Sequence, residues 1–251
     1  MRNGFFLFDT HTHLGQALHS GRATSEEDLL RSMDRHGVDR SLVIPFPMVE
    51  DFHAAHDYIA AAVGRHPDRL CGAACLNPYL GEAVYRQEVR RCREQYGFVA
   101  LKLQPQYAGI HPLWKRHRYV FETALENGLP LIWHTGSGIP YSLPSLLMAP
   151  AREMPDLTII LAHCGGGGIL VGEAIVAAQF CPNIYLELST LMPNHILEVL
   201  ASIPPERLLA GSDLIENTAV EFEKILGLEV APEVKRAILS GTALRLFGGA
   251  A

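Results

Sequence analysis

The sequence predicts an α/β protein built as a (β/α)8 or TIM barrel. Three observations predict it. Short apolar runs recur along the whole chain and end near residues 9, 45, 75, 103, 134, 163, 188 and 213, steps of about 25–36 residues, the length of one strand–helix–strand unit. The first run, Phe5-Phe6-Leu7-Phe8, is four large hydrophobes in a row, as in a strand covered on both faces within a parallel sheet. Helical segments with caps and stop signals fill the intervals. Eight such units close into a barrel; an open doubly wound sheet is the competing arrangement.

The elements follow in order. The first strand leads into Asp9-Thr10-His11-Thr12-His13 and a loop over 14–24. Thr24 or Ser25 caps a helix that runs to His36. Glu26, Glu27 and Asp28 sit in its first turn, where the helix dipole favours acids, and Gly37 ends it. A strand over 41–44 stops at Pro45 and Pro47. Then come a helix over 51–64, a strand over 70–76, a helix over 82–95 and a strand over 98–103. A helix over 113–126 is closed by Asn127-Gly128. The pattern continues with strands over 130–134, 157–163, 184–188 and 207–213, alternating with helices over 146–153, 169–179 and 195–201. Helices over 216–226 and 231–240 and a short tail over 242–247 finish the chain. No Pro/Gly/Ser linker or change of composition interrupts it, so one catalytic domain is expected over 1–251.

Composition narrows the function classes. With 48% hydrophobic and 19% charged residues, the 251-residue chain can bury a sizeable core. A net charge of −6 and the lack of a basic block argue against a nucleic-acid surface. The densest basic segment, Lys115-Arg116-His117-Arg118, reads as the solvated face of a helix. Five cysteines without CxxC spacing fit reduced thiols and a cytoplasmic location. The N-terminus goes straight into a strand without the pattern of a signal peptide. No apolar run reaches the roughly 18–20 residues of a membrane span.

The chemistry collects at strand ends, where barrel active sites lie. Alternation along a strand puts Asp9, His11 and His13 on one face. Two imidazoles on one face can share a metal ion. Later strands end in Lys102, His134, His163 and Asp213, and strands on opposite sides of a barrel converge above its axis. Asp9 either fixes the tautomer of a neighbouring imidazole or caps a strand end. Gly165-Gly166-Gly167-Gly168 reads as a tight turn that brings backbone close to the site. Ser189 and Ser212 lack an evident His–Asp arrangement, and alternation turns Cys164 away from His163. His53, His56 and His66 read as exposed. Tyr107, Trp133 and Tyr141 lie near the expected mouth, with Trp133 turned away from His134. Arg22 and Arg118 are carboxylate-binding candidates by position alone.

The order HxH, Lys, His, His, Asp resembles the amidohydrolase superfamily. The segments Asp9-Thr10-His11-Thr12-His13, Phe98 to Leu103, Ile159 to Gly167 and Gly211-Ser212-Asp213 are similar to strand motifs of the branch containing aminocarboxymuconate-semialdehyde decarboxylase. The ending Ser240 to Phe247 resembles its C-terminal signature, with Thr242 where Asn is expected. The resemblance implies a divalent metal, zinc first and manganese second, with His11, His13, His134 and Asp213 as ligands. It implies a metal-activated hydroxide nucleophile, with Asp213 moving a proton and His163 beside the water or substrate carbonyl. Lys102 becomes either a carbamylated bridge between two metals or an ammonium that binds a substrate carboxylate, and one ion is favoured over two. The expected activity is hydrolysis of a small amide, ester or lactone. Non-oxidative decarboxylation of a small carboxylate is the alternative, and a metal-free binding barrel stands behind both. A small-molecule substrate and a homodimer are expected, without nucleic acid or membrane as partners.

Overall fold

The computed structural model describes residues 1–248. Eight parallel strands follow one another around a single sheet: β1 (Phe8–Gln16), β3 (Arg40–Pro45), β4 (Leu70–Cys75), β5 (Ala100–Leu103), β6 (Leu131–His134), β7 (Ile159–Ala162), β8 (Ile184–Glu187) and β9 (Leu208–Leu209). A two-residue strand, β2 (Ala23–Thr24), pairs antiparallel with the end of β1. Hydrogen bonds join the last strand back to the first: Thr10 N donates to Ala210 O at 3.0 Å, and Asp213 N donates to His11 O at 2.6 Å. The sheet is thereby closed as the TIM barrel that the sequence predicts.

Alternation along these strands builds two cores. Phe8, Leu42, Ala73, Ala100, Ile132, Ile160 and Leu209 form an inner cluster. Their neighbours Leu7, Val43, Ala74, Leu101, Leu131, Leu161 and Leu186 belong to an outer cluster shared with the helices. Trp133 is in the outer set, stacked on Phe121 at 5.3 Å between ring centres, so it faces away from the site as expected. At the N-terminal end of the barrel α11 (Thr242–Phe247) supplies Phe247, which meets Phe8 at 6.2 Å. The opposite end is left for the strand termini that carry the polar residues.

Local signals act as read for α1 (Glu26–His36). Ser25 accepts a hydrogen bond from Asp28 N, and Gly37 takes φ 69° to end the helix. Other boundaries differ. Phe5 and Phe6 precede β1 and are only half-buried, while the HxH segment lies inside the strand. The strand expected over 207–213 pairs only at Leu208–Leu209, because residues beyond it turn to meet β1. The helix expected over 113–126 is a tight turn at Lys115–His117 followed by α5 (Tyr119–Glu126), and His117 in its basic run is buried.

His56 is a correction. Placed on α2 (Phe52–Arg65), it is fully buried rather than exposed. Its Nδ1 lies 2.7 Å from Glu88 Oε1 on α3 (Glu82–Tyr96), and its Nε2 accepts from Cys75 N at 3.0 Å. Arg91 donates to both Glu88 oxygens, at 2.6 and 2.9 Å. Burial pushes the Glu88 carboxyl up, but the His56 and Arg91 donors override it and hold it at about 2. Both His56 nitrogens are already satisfied, so the cluster ties two helices to β4.

A prediction follows from the sign of that shift. A carboxyl held at about 2 in the fold and near 4.5 in the unfolded chain contributes stability that is present above pH 4.5 and lost as pH falls towards 2. Glu88→Gln should lower stability at neutral pH by about 3 kcal/mol, since it leaves buried partners unpaired. Its remaining stability should fall less than the wild type's across that acid window, as measured by denaturant unfolding at stepped pH.

Candidate metal centre and its cavity

The β1–β9 junction sets the geometry of the site. Asp9, buried at the start of β1, accepts from Ser212 N at 2.9 Å, from Ser212 Oγ at 2.5 Å and from His11 N at 3.2 Å. Burial pushes its carboxyl up to about 7. Of the two roles considered for Asp9, the structure shows a clamp between the first and last strands, with no imidazole contact. That clamp, with the Asp213 N to His11 O bond, holds the Asp213 side chain across from both histidines of the HxH segment. Asp213 Oδ1 lies 3.4 Å from His11 Nε2 and 3.5 Å from His13 Nε2.

Each of these imidazoles has its other nitrogen engaged. His11 Nδ1 is 3.1 Å from Glu187 Oε2, and His13 Nδ1 is 3.2 Å from Pro45 O. Each Nε2 therefore faces Asp213 with its lone pair. Ligand atoms about 2.1 Å from one centre in a tetrahedron are about 3.4 Å apart. The spacing of His11, His13 and Asp213 fits a divalent ion. His134 stands outside this tight group, beside His163 at 4.7 Å between ring centres. Its Nε2 lies 3.2 Å from Ser137, while its Nδ1 is buried without a partner, a second atom suited to a cation.

Lys102 is fully buried, with Nζ 2.8 Å from His11 Nε2. Burial lowers its ammonium to about 8. His11 is driven well below its ordinary value by burial and then by the Lys102 charge, and His134 by burial and then by His163. His163 falls to about 4, through burial and then His11. Burial pushes Asp213 up, yet its contact with His13 and the charges of the surrounding imidazoles bring it well below the usual carboxylate range. Burial thus disfavours the charged forms of the His11, His134 and His163 imidazoles, the forms that cannot ligate a metal.

A cavity of about 490 Å³ opens onto His134, His163 and Asp213. It is lined by these three, by Ile139, Ile169 and Leu170, and by Thr135, Ser137, Thr190 and glycine backbone. A methyl group on Gly136 would lie 2.6 Å from Gly166 Cα, so the two loops meet only as glycines. His163, Thr190 and Asp213 take φ of 66°, 68° and 63°, strained values for side chains other than glycine, and all three line this cavity. Among the described residues no lysine or arginine lines it. Arg22 pairs with Glu216, and Arg118 with Glu153, away from the cavity. Tyr107 packs against His19 at a tilt, and Tyr141 meets His111 and Trp114 edge to face. Cys164 is fully buried in the outer core, as alternation implies.

Glu187 is a functional candidate that sequence reasoning missed, and Ser189 is one that it set aside for want of a His–Asp arrangement. Glu187 is 1% exposed and receives four donors: His11 Nδ1, His163 N, Ser189 N and Ser189 Oγ. Ser189 Oγ also lies 2.7 Å from His163 Nδ1. A methyl group on Gly211 would approach Glu187 Oε1 to 2.7 Å and His11 Cβ to 2.8 Å, so this glycine makes room for both. The signal available was an acid near the end of an apolar strand, Ile-Tyr-Leu-Glu-Leu-Ser, in line with the other strand-end residues.

The chain matches the amidohydrolase family model over residues 8–249. No curated protein matches the sequence. Among solved structures it is similar to 2,6-dihydroxybenzoate decarboxylase from Rhizobium, at 16% identity over 97% of this chain and 99% of that one, with a TM-score of 0.75. It is similar to a 5-carboxyvanillate decarboxylase from Novosphingobium aromaticivorans, complexed with manganese and 4-hydroxy-3-methoxy-5-nitrobenzoic acid, at 15% identity over 98% and 96%, TM-score 0.78. A TIM-barrel protein from Bordetella bronchiseptica is similar at 19% identity over 97% and 99%, TM-score 0.78. With a family match spanning nearly its whole length, this chain belongs to the amidohydrolase family and is an enzyme of that superfamily.

Proposed function

We propose that the chain is a metal-dependent, non-oxidative decarboxylase of a small carboxylate. The observation that carries this reading is the cavity's lining. Ile139, Ile169 and Leu170 offer an apolar slot, while the cavity's ionisable groups are His134, His163 and Asp213. A carboxylate entering it finds no guanidinium or ammonium on the walls to anchor it away from the chemistry. A cation held by His11, His13 and Asp213 would draw its carboxyl end there, while an apolar body fills the slot. The similarity to decarboxylases that carry manganese supports the same choice and puts hydrolysis second, reversing the order expected from sequence.

His11, His13 and Asp213 would hold the ion, with His134 Nδ1 as the fourth protein donor. Bound there, a divalent ion supplies Lewis acidity to the oxygens of the substrate. The remaining steps fall to side chains. Loss of CO2 leaves an electron pair on carbon, and one proton must replace the carboxyl group. Asp213 Oδ1 faces the two histidines, so Oδ2 is the oxygen open to the substrate. His163 has Nδ1 engaged with Ser189, so Nε2 is its free atom. This pair takes a proton from solvent and delivers it to carbon.

Two predictions test the reading. Protein purified without a histidine tag should carry about one zinc or manganese ion per chain by plasma mass spectrometry, and His13→Ala should lose it. Two ions per chain would make Lys102 a bridging carbamate instead. In a panel of aromatic and unsaturated monocarboxylates, assayed alongside small amides, esters and lactones, activity should appear as CO2 release. Asp213→Asn should then lower kcat by about 10²–10⁴-fold. Turnover of the amides, esters or lactones alone would restore hydrolysis as the activity.

A further inference from the structure

Ser189 lies two residues beyond Glu187, past the end of β8. It is completely buried and touches both Glu187 and His163. The chain turns sharply there: Thr190 takes φ 68°, and Ser189 N donates back to Glu187 Oε1 at 2.6 Å. The Ser189 hydroxyl is thereby fixed 2.9 Å from Glu187 Oε2 and 2.7 Å from His163 Nδ1.

One hydroxyl proton cannot serve both contacts. Every other polar neighbour of Glu187 is a donor, so its carboxylate is the acceptor of the set. A Ser189 hydroxyl turned towards His163 would set an oxygen lone pair against that carboxylate at 2.9 Å. The proton therefore points to Glu187, and Ser189 Oγ accepts from His163 Nδ1–H. Glu187 Oε2 also accepts from the His163 backbone N at 3.0 Å, at a residue whose φ of 66° needs outside support.

We propose that Ser189, backed by Glu187, is a positioning residue that holds His163 in its Nδ1–H tautomer, so that Nε2 presents a lone pair to the cavity. The inference rests on the reading above only in giving His163 a proton to move. The tautomer itself follows from the hydrogen bonds. A single carboxylate then orients two imidazoles of the site, His11 directly and His163 through Ser189.

The test is long-range proton–nitrogen correlation NMR of protein labelled with ¹⁵N-histidine and loaded with diamagnetic Zn²⁺. The His163 signals are assigned by their loss in His163→Gln. Wild type should show the Nδ1–H tautomer at His163. Ser189→Ala should lose that preference and Ser189→Thr should keep it. An Nε2–H tautomer in the wild type overturns the proposal, whether or not any variant folds, and so does an unchanged pattern in folded Ser189→Ala. On a substrate found in the panel above, Ser189→Ala should lower kcat about 10–100-fold with KM within about twofold, and Ser189→Thr should recover most of it. An unchanged kcat would also overturn the role. The NMR readout needs no substrate, so failure of the decarboxylase reading and failure of this inference are distinguishable.

Discussion

The structure depends on the joint between its first and last strands. Asp9 reaches across to Ser212, and Asp213 N bonds His11 O, contacts that link residues about two hundred positions apart in sequence. β9 pairs with β8 over only two residues, so these contacts carry much of the closure. The same contacts place the Asp213 carboxylate opposite the two Nε2 atoms of the HxH segment. Closing the barrel and assembling the candidate centre are one event. Gly211, packed against His11 and Glu187, has no room for a methyl group.

A cluster of buried ionisable groups is costly unless its charges are paired and its donors matched. Here the matching is specific. Glu187 meets only donors, Asp9 meets donors from Ser212 and His11, and His13 Nδ1 finds the Pro45 carbonyl. The exceptions are informative. His134 Nδ1 has no partner, and Lys102 Nζ shares His11 Nε2 with the Asp213 side of the site. Backbone strain collects at His163, Thr190 and Asp213. Such strain persists where the surroundings over-determine it. The inner and outer apolar cores, packed against both faces of the strands, supply that rigidity.

Legibility followed the range of the interactions. The strands could be read because each is a local apolar run, and their constant spacing gave the barrel. His11, His13, His134, His163, Lys102 and Asp213 stood out because each ends or follows such a run. Asp9 was legible as a residue of the site but not in its role, since Ser212 is fixed only by closure. Glu187 and Ser189 continue an ordinary-looking strand, and only their contacts with His11 and His163 single them out. His56 looked like a surface residue of a helix because the groups that bury it, Glu88 and the Cys75 amide, come from α3 and β4. The last strand was overextended because a run of apolar residues does not say where a chain leaves a sheet to close a barrel.

Hydrolysis and decarboxylation place the same residues under different demands. Both need a polarising centre and a group that moves a proton. Hydrolysis delivers that proton to a nitrogen or oxygen leaving group, which then needs a polar exit. Decarboxylation delivers it to carbon and releases a neutral, apolar gas. The cavity that opens onto His163 and Asp213 is also lined by Ile139, Ile169 and Leu170. On the proposed reading the apolar body of the substrate lies against these side chains, and the carbon that loses CO2 belongs to that body. On that reading the tautomer proposed for His163 matters because its Nε2 is one of two atoms, with Asp213 Oδ2, that would deliver the proton to carbon.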